Sequence, residues 1–306
     1  MQKALQHYTL ILASFLTIVF FASYYSIPTE SAGFQGKAGG SIVPQVIKPV
    51  NLDRPFDFAE EALPMDNFDV RERLDRELLS NTYQHTSTIL HLKNTYKYFP
   101  MMEKVLKENG VPDDFKYLAV AESSFRNAVS SAGARGVWQF MRLIADHYNL
   151  EINEEVDERY HVEKATEAAC KYLLSYKKRF GSWTLAAVAY NYGGTRLAKD
   201  IAAQGTNNYF DLYLNPETSQ YLFRIVAIKE VMKTPEAFGF YLTEEDGYKP
   251  LSNFKTVEVS SAIPNLAAFA KEQGTTYRLL KVFNPWLIAD KLTNSGKKTY
   301  QIKIPK

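Results

Sequence analysis

From Asn67 to Ala237 the apolar residues recur at the spacing of one helix face after another, and no two runs alternate as paired strands do. Such stripes must be buried helix against helix, so an all-α body is predicted. Phe68, Val70, Leu74, Leu78 and Leu79 open it among the charges of R-E-R-L-D-R-E. A segment from Thr86 to Tyr98 leads to Pro100, and another from Met101 to Asn109 stops at Gly110. Pro112, Asp113 and Asp114 start a helix that carries Phe115, Leu118 and Val120 up to Glu122. Gly133 and Gly136 make a turn before an amphipathic helix predicted over Val137 to Tyr148. Val162 to Phe180 follows, with Ala165, Ala168, Ala169, Tyr172, Leu173 and Tyr176 on one face and Gly181 as its stop. Trp183 to Tyr190, Leu197 to Ala203 and a capped helix from Pro216 to Met232 complete the body.

The flanks are different. Tyr8 to Ala22 carries no charge, and this core of about 15 residues suits an export signal better than a spanning helix, although Tyr24, Tyr25 and Ile27 could extend it into an uncleaved anchor. Residues 1–27 are therefore read as a signal peptide or membrane anchor, which places the remainder in the periplasm or cell envelope. Residues 28–66, rich in Gly and Pro and without periodicity, are read as a flexible linker. The helical body is assigned to residues 67–240. In residues 250–306 the period changes: Phe254 to Val259 and Tyr300 to Pro305 alternate, with short helices at Leu266 to Gln273 and Thr276 to Phe283 between them. Strand, helix, helix, strand predicts a small separate α+β (βααβ) domain.

Net charge is +2, which gives no overall argument for nucleic acid, yet the charge is uneven. Residues 51–80 hold nine acids against four arginines, whereas residues 248–306 hold ten Lys or Arg against three acids, a balance suited to an anionic partner such as a cell-wall polymer. Cys170 is the single cysteine, so no intramolecular disulfide forms, and its place on a helical pattern marks it as a buried small residue.

The chemistry concentrates in A-E-S-S-F-R-N-A-V-S-S-A-G-A-R-G-V-W-Q-F-M, from Ala121 to Met141. Glu122 follows Leu118, Ala119, Val120 and Ala121. Burial of that run would desolvate the carboxyl and raise its pKa, and the negative end of the helix dipole acts in the same direction. A carboxyl so placed can serve as a general acid near neutral pH.

Four ordered motifs, E-S-S-F, S-S-A-G-A-R-G-V-W-Q-F-M, A-Y-N-Y-G-G and E-T-S-Q-Y-L, resemble those of the lytic transglycosylases with a goose-type lysozyme (SLT) fold, in particular the membrane-bound type D group with C-terminal LysM modules. The resemblance covers about residues 67 to 240, and the terminal domain is similar to LysM. It implies an all-α lysozyme-like catalytic domain that cleaves the MurNAc-GlcNAc bond of peptidoglycan and leaves 1,6-anhydroMurNAc ends, with no metal or cofactor. Glu122 matches the catalytic acid/base. Aligned through Gly133, Ser130 matches the serine of the family's S-P-A-G motif, and Ser131 stands where proline is common. Gly136, Gln139 and Met141 match cleft positions, Tyr190 and Asn191 match A-Y-N, and Tyr221 matches the late tyrosine. The resemblance further implies that Ser130 bonds the acetamido group, that Gln139 holds a sugar polar group, and that Tyr190 and Tyr221 orient Glu122 or the muramyl ring. Trp138, preceded by Val137, reads as core. Two other functions remain open on the same fold, a hydrolase that adds water and a non-catalytic wall-binding scaffold.

Overall fold

The computed structural model describes residues 48–306, so the predicted export segment and residues 28–47 of the predicted linker lie outside the described residues. The helical body is organised on one helix. α8 (Pro216–Lys233) buries Tyr221, Leu222, Phe223, Ile225, Val226, Ala227 and Ile228, so apolar side chains surround its whole circumference as expected of a helix in the middle of a bundle. Pro216 stands in its first turn and the Asn215 side chain accepts from Thr218 N at 3.0 Å, which satisfies one orphan donor of that turn. Around it pack α1 (Phe68–Tyr83), through Val70, Leu74 and Leu78, α3 (Phe115–Ser123) and α6 (Trp183–Tyr192), which α7 (Gly194–Gln204) follows. α5 (Val162–Phe180) faces α6 with Ala165, Ala168 and Ala169 against a helix rich in buried alanines, and small side chains are what let the two axes approach. Cys170 is buried within α5.

Two expectations about helices are corrected. The segments on either side of Pro100 are one helix, α2 (His85–Glu108), with the proline inside it. Losing one amide donor is offset because α2 is anchored on both sides of Pro100, through Leu92 before it and Met102, Val105 and Leu106 after it. The helix predicted from Val137 is much shorter: α4 spans Arg142–His147. Gln139 has φ 48° and Phe140 N donates to Arg135 O at 3.1 Å, neither of which a helix permits.

The predicted linker also ends too late. Residues 56–63 belong to the core, where β1 (Asp57–Phe58) and β2 (Glu61–Ala62) form a short antiparallel pair and Phe58 is fully buried edge-on to Phe115 at 5.1 Å. Long-range polar contacts fix the pair. Lys229 of α8, only 2% exposed, donates to Asp57 at 2.8 Å and Asp114 at 2.7 Å, a buried ammonium held by two carboxylates. Glu61 accepts from Trp183 N at 2.6 Å and Thr184 N at 2.8 Å, capping the N-terminus of α6 from outside that helix.

The chain ends in β3 (Phe254–Val259), α9 (Leu266–Glu272), α10 (Tyr277–Phe283) and β4 (Tyr300–Pro305), with β3 and β4 antiparallel and Val257 opposite Ile302. This βααβ module is not a free-standing appendage. Its core includes Val156 from the helical body, which bridges to Leu287. Asp157 N donates to Trp286 O at 2.9 Å, Ile288 N donates to Glu155 O at 2.9 Å, and Tyr300 donates to Glu151 at 3.0 Å. Trp286 itself is stacked between His161 and Tyr300.

Candidate active site

α3 is buried along most of its length, through Phe115, Tyr117, Leu118, Ala119 and Val120 and the ion-paired Lys116, and it delivers Glu122 at its C-terminal end. The helix stops at Ser124, which is left-handed at φ 52°, and Phe125 follows at φ 56°. Neither is glycine, so this turn holds backbone strain next to the carboxylate. The Ser123 hydroxyl spans it by donating to Val137 O at 2.9 Å and accepting from Phe125 N at 3.1 Å. Ser123 thus ties the helix that carries Glu122 to the loop that carries Gln139.

Glu122 is partly buried. Desolvation pushes its pKa from 4.5 up to about 7, against the opposing effects of the Tyr221 hydrogen bond and the Arg224 guanidinium. The Tyr221 hydroxyl donates to Glu122 Oε1, and burial together with that carboxylate drives the phenol well above its ordinary pKa, so it remains a donor. Glu217 also bears on Glu122, but its carboxylate is committed to Arg224 at 2.9 Å.

The loop opposite is a set of tight turns. Ser130 and Ala134 close one of them: Ser130 N donates to Ala134 O at 3.0 Å, and Ala134 N donates to Ser130 Oγ at 2.9 Å. The serine hydroxyl therefore caps the turn through a lone pair and keeps its hydrogen for another acceptor. At Gly136, φ is 77° and a Cβ would lie 1.9 Å from Arg159 O, so only glycine fits. Gln139 spends its amide nitrogen on Gly136 O at 2.8 Å and Ala128 O at 3.2 Å. Met141 is 44% exposed at the start of α4, and Asn191 is exposed at the end of α6. Tyr190 donates to Trp138 O at 2.6 Å, so its hydroxyl braces the loop, while its ring lies near enough for the Glu122 charge to raise its pKa. Trp138 is core, fully buried with its indole donating to Thr166 at 2.9 Å.

Sequence reasoning missed the support of this loop. Arg159, 4% exposed, donates to Asp157 at 2.9 and 2.7 Å, to Phe140 O at 3.2 Å and to Gly133 O at 3.3 Å, while Arg135 pairs with Asp157 at 3.3 Å. The only trace in the sequence is an Asp-x-Arg triplet between two helical segments, which reads as surface charge. Among the described residues no cluster of His, Cys, Asp and Glu could hold a metal ion.

Comparison with known proteins agrees with this architecture. Residues 99–212 match the Transglycosylase SLT domain family, and residues 255–306 match the Soluble lytic transglycosylase C-terminal LysM-like domain. The fold is thus an all-α lysozyme-like domain followed by a small LysM-like α+β module. The membrane-bound lytic murein transglycosylase D of Escherichia coli (strain K12) is 28% identical over 247 residues, 79% of this chain and 52% of the relative, and the protein of that name from Escherichia coli O6:H1 gives the same figures. The chain spans about half the length of these curated relatives.

Proposed function

We propose that this chain, which carries an SLT transglycosylase domain, is a peptidoglycan lytic transglycosylase of the cell envelope. It cleaves the β-1,4 bond between MurNAc and GlcNAc and leaves 1,6-anhydroMurNAc ends, with Glu122 as its one acid/base. The observation that carries this reading is Glu122 itself, pushed up to about 7 and bonded to the Tyr221 hydroxyl. Such a group is half protonated at neutral pH and can act in both directions.

An ordinary glycosidase needs a second carboxylate as nucleophile or base. Glu217 is a poor candidate because Arg224 holds it in an ion pair. The substrate supplies the missing group. Glu122 protonates the leaving oxygen, the 2-acetamido group of the muramyl residue supports the developing cation, and the 6-hydroxyl of the same sugar attacks while Glu122, now a carboxylate, takes its proton. An intramolecular attack avoids about 7–11 kcal/mol of the entropy and reorganisation that a separate water would cost. Ser130 has a hydroxyl hydrogen to offer the acetamido oxygen, and Tyr190 holds the loop at the Trp138 carbonyl. Met141 and Asn191 are exposed at the ends of α4 and α6 for sugar contact, and the polar lining of the cleft is completed by Gln139.

The LysM-like module and its basic balance support a role in holding peptidoglycan. Membrane association through the N-terminal segment rests on the sequence alone; among the described residues no helix is long and apolar enough to cross a membrane. Mass spectrometry of sacculi digested by the chain tests the reaction. Anhydro ends that disappear with Glu122→Gln are expected. Reducing ends would make it a hydrolase, and intact sacculi a binding scaffold.

A further inference from the structure

A cleft of about 870 Å³ opens where α2, the start of α5 and the C-terminal module meet, and none of the candidate catalytic residues lines it. Its walls are aromatic, with Tyr98 from α2 and Phe254, Tyr277 and Trp286 from the module. Its charge is lopsided: Lys97, Arg278, Lys281 and Lys303 stand against one carboxylate, Glu163.

Several of these groups are already engaged. Lys303 and His161 both hold Glu163, and despite its burial these partners bring that carboxyl down to about 2, so it stays ionised and spent. Lys281 is committed to the carbonyls of Leu287 and Ala289, the latter at 2.7 Å. Lys97 and Arg278 are left over. Neither has a carboxylate partner among the described residues; Lys97 Nζ lies 5.1 Å over the Tyr98 ring, and Arg278 is exposed. Burial already lowers the Lys97 pKa, and an anion beside it would reverse that penalty.

The cleft also adjoins the turn that follows Glu122. Tyr98 stacks on Phe125 at 5.0 Å in the strained turn after Glu122, and Asn127 lies in the cleft wall.

We propose that this cleft is a second substrate site that takes the acidic stem peptide of peptidoglycan rather than its sugars, with Lys97 and Arg278 as partners for its carboxylates. The inference rests on the peptidoglycan reading given above. Neutral sugars have no use for two unpaired cations, whereas stem peptides hang from the muramyl residues that Glu122 would attack. Once its amino end is tied up in the lactyl amide, a stem carries more carboxylates than ammonium groups. The volume suits a short peptide, and the aromatic walls suit its alanyl and aliphatic parts.

The test is binding of the full chain, in a Glu122→Gln background that prevents turnover, to two soluble probes: glycan strands with their stems, and uncharged N-acetylglucosamine oligomers of matched length. Lys97→Gln with Arg278→Gln should weaken binding of the peptide-bearing strands about tenfold, more at low salt, and leave binding of the N-acetylglucosamine oligomers unaffected. Equal loss on both probes would make the cleft a sugar site, and unchanged binding of both would make it idle; either result overturns the proposal. Unchanged melting curves establish that the double variant is folded. Failure of the underlying reading appears separately, as intact sacculi after treatment with the chain that retains Glu122.

Discussion

The hydroxyl of Tyr221, on the central helix α8, donates to Oε1 of Glu122, at the end of α3. The two residues lie far apart in the chain, and the bond opposes the desolvation that raises the Glu122 pKa. It stabilises the carboxylate, the form that the proposed mechanism needs to take a proton in its second half.

Tyr221→Phe removes that bond and leaves the burial. The Glu122 pKa should then rise from about 7 by roughly one further unit, the equivalent of a hydrogen bond to a charged group. If Glu122 acts as the acid on the free enzyme, kcat/KM falls on the alkaline side as this group loses its proton, and the variant's alkaline limb should lie higher while its maximal rate is lower. A limb that stays put, or moves to lower pH, would count against Tyr221 as the partner that tunes the acid.

Glu122→Gln should be inactive and, at alkaline pH, more stable than the parent. Folded Glu122 keeps its proton to about 7, whereas its unperturbed pKa is 4.5. The stabilising contribution of the protonated form is therefore full below 4.5 and is lost as pH rises through about 7. Above that, the fold carries a desolvated charge costing about 3 kcal/mol, which Gln does not carry. Melting at about pH 8 should favour the variant and melting at about pH 4 should show little difference. Equal melting at both would mean that Glu122 is not desolvated.

Gly136→Ala tests the loop. Arg159 O occupies the place of a Cβ, and the left-handed backbone disfavours one as well. The turn must shift, at about 3 kcal/mol or more, and the shift takes Gln139 and the Trp138 carbonyl with it. Lower thermal stability together with a loss of kcat is expected. A variant with parental melting and rate would show that the loop yields without consequence.

What was legible in the sequence follows from how local each signal is. α5 reads directly because its alanine face and Gly181 stop lie within its own residues, and Glu122 reads because its apolar approach is contiguous. Val137 to Tyr148 misleads for the same reason: its apolar spacing is helical, but the φ of Gln139 is set by Arg159, a residue elsewhere in the chain that closes the loop on Gly133 and Phe140. Residues 56–63 look like linker because their stability is borrowed from Lys229 and from the amides of Trp183 and Thr184. The Asp157–Arg159 support is invisible until both carbonyls it holds are in place.

That support leads from the loop that carries Ser130 and Gln139 to the C-terminal module, and it predicts what removal of residues 248–306 does. A tethered wall-binding domain could be deleted with loss of sacculus retention alone. Here the deletion would expose Val156, strip Asp157 N of the Trp286 carbonyl and leave the Glu151 and Glu155 carboxylates without Tyr300 and Thr293. Asp157 holds Arg159 and Arg135, and Arg159 holds the carbonyls of Gly133 and Phe140, so the loop across from Glu122 loosens with it. The truncated chain should melt lower and turn over soluble muropeptides several-fold more slowly. Trp286→Ala, which keeps the module but removes a side chain that is 4% exposed and stacked on His161, should move both readouts in the same direction at about 3–5 kcal/mol of stability. Parental melting and kcat in the truncated chain would mean that the module is docked without supporting the loop.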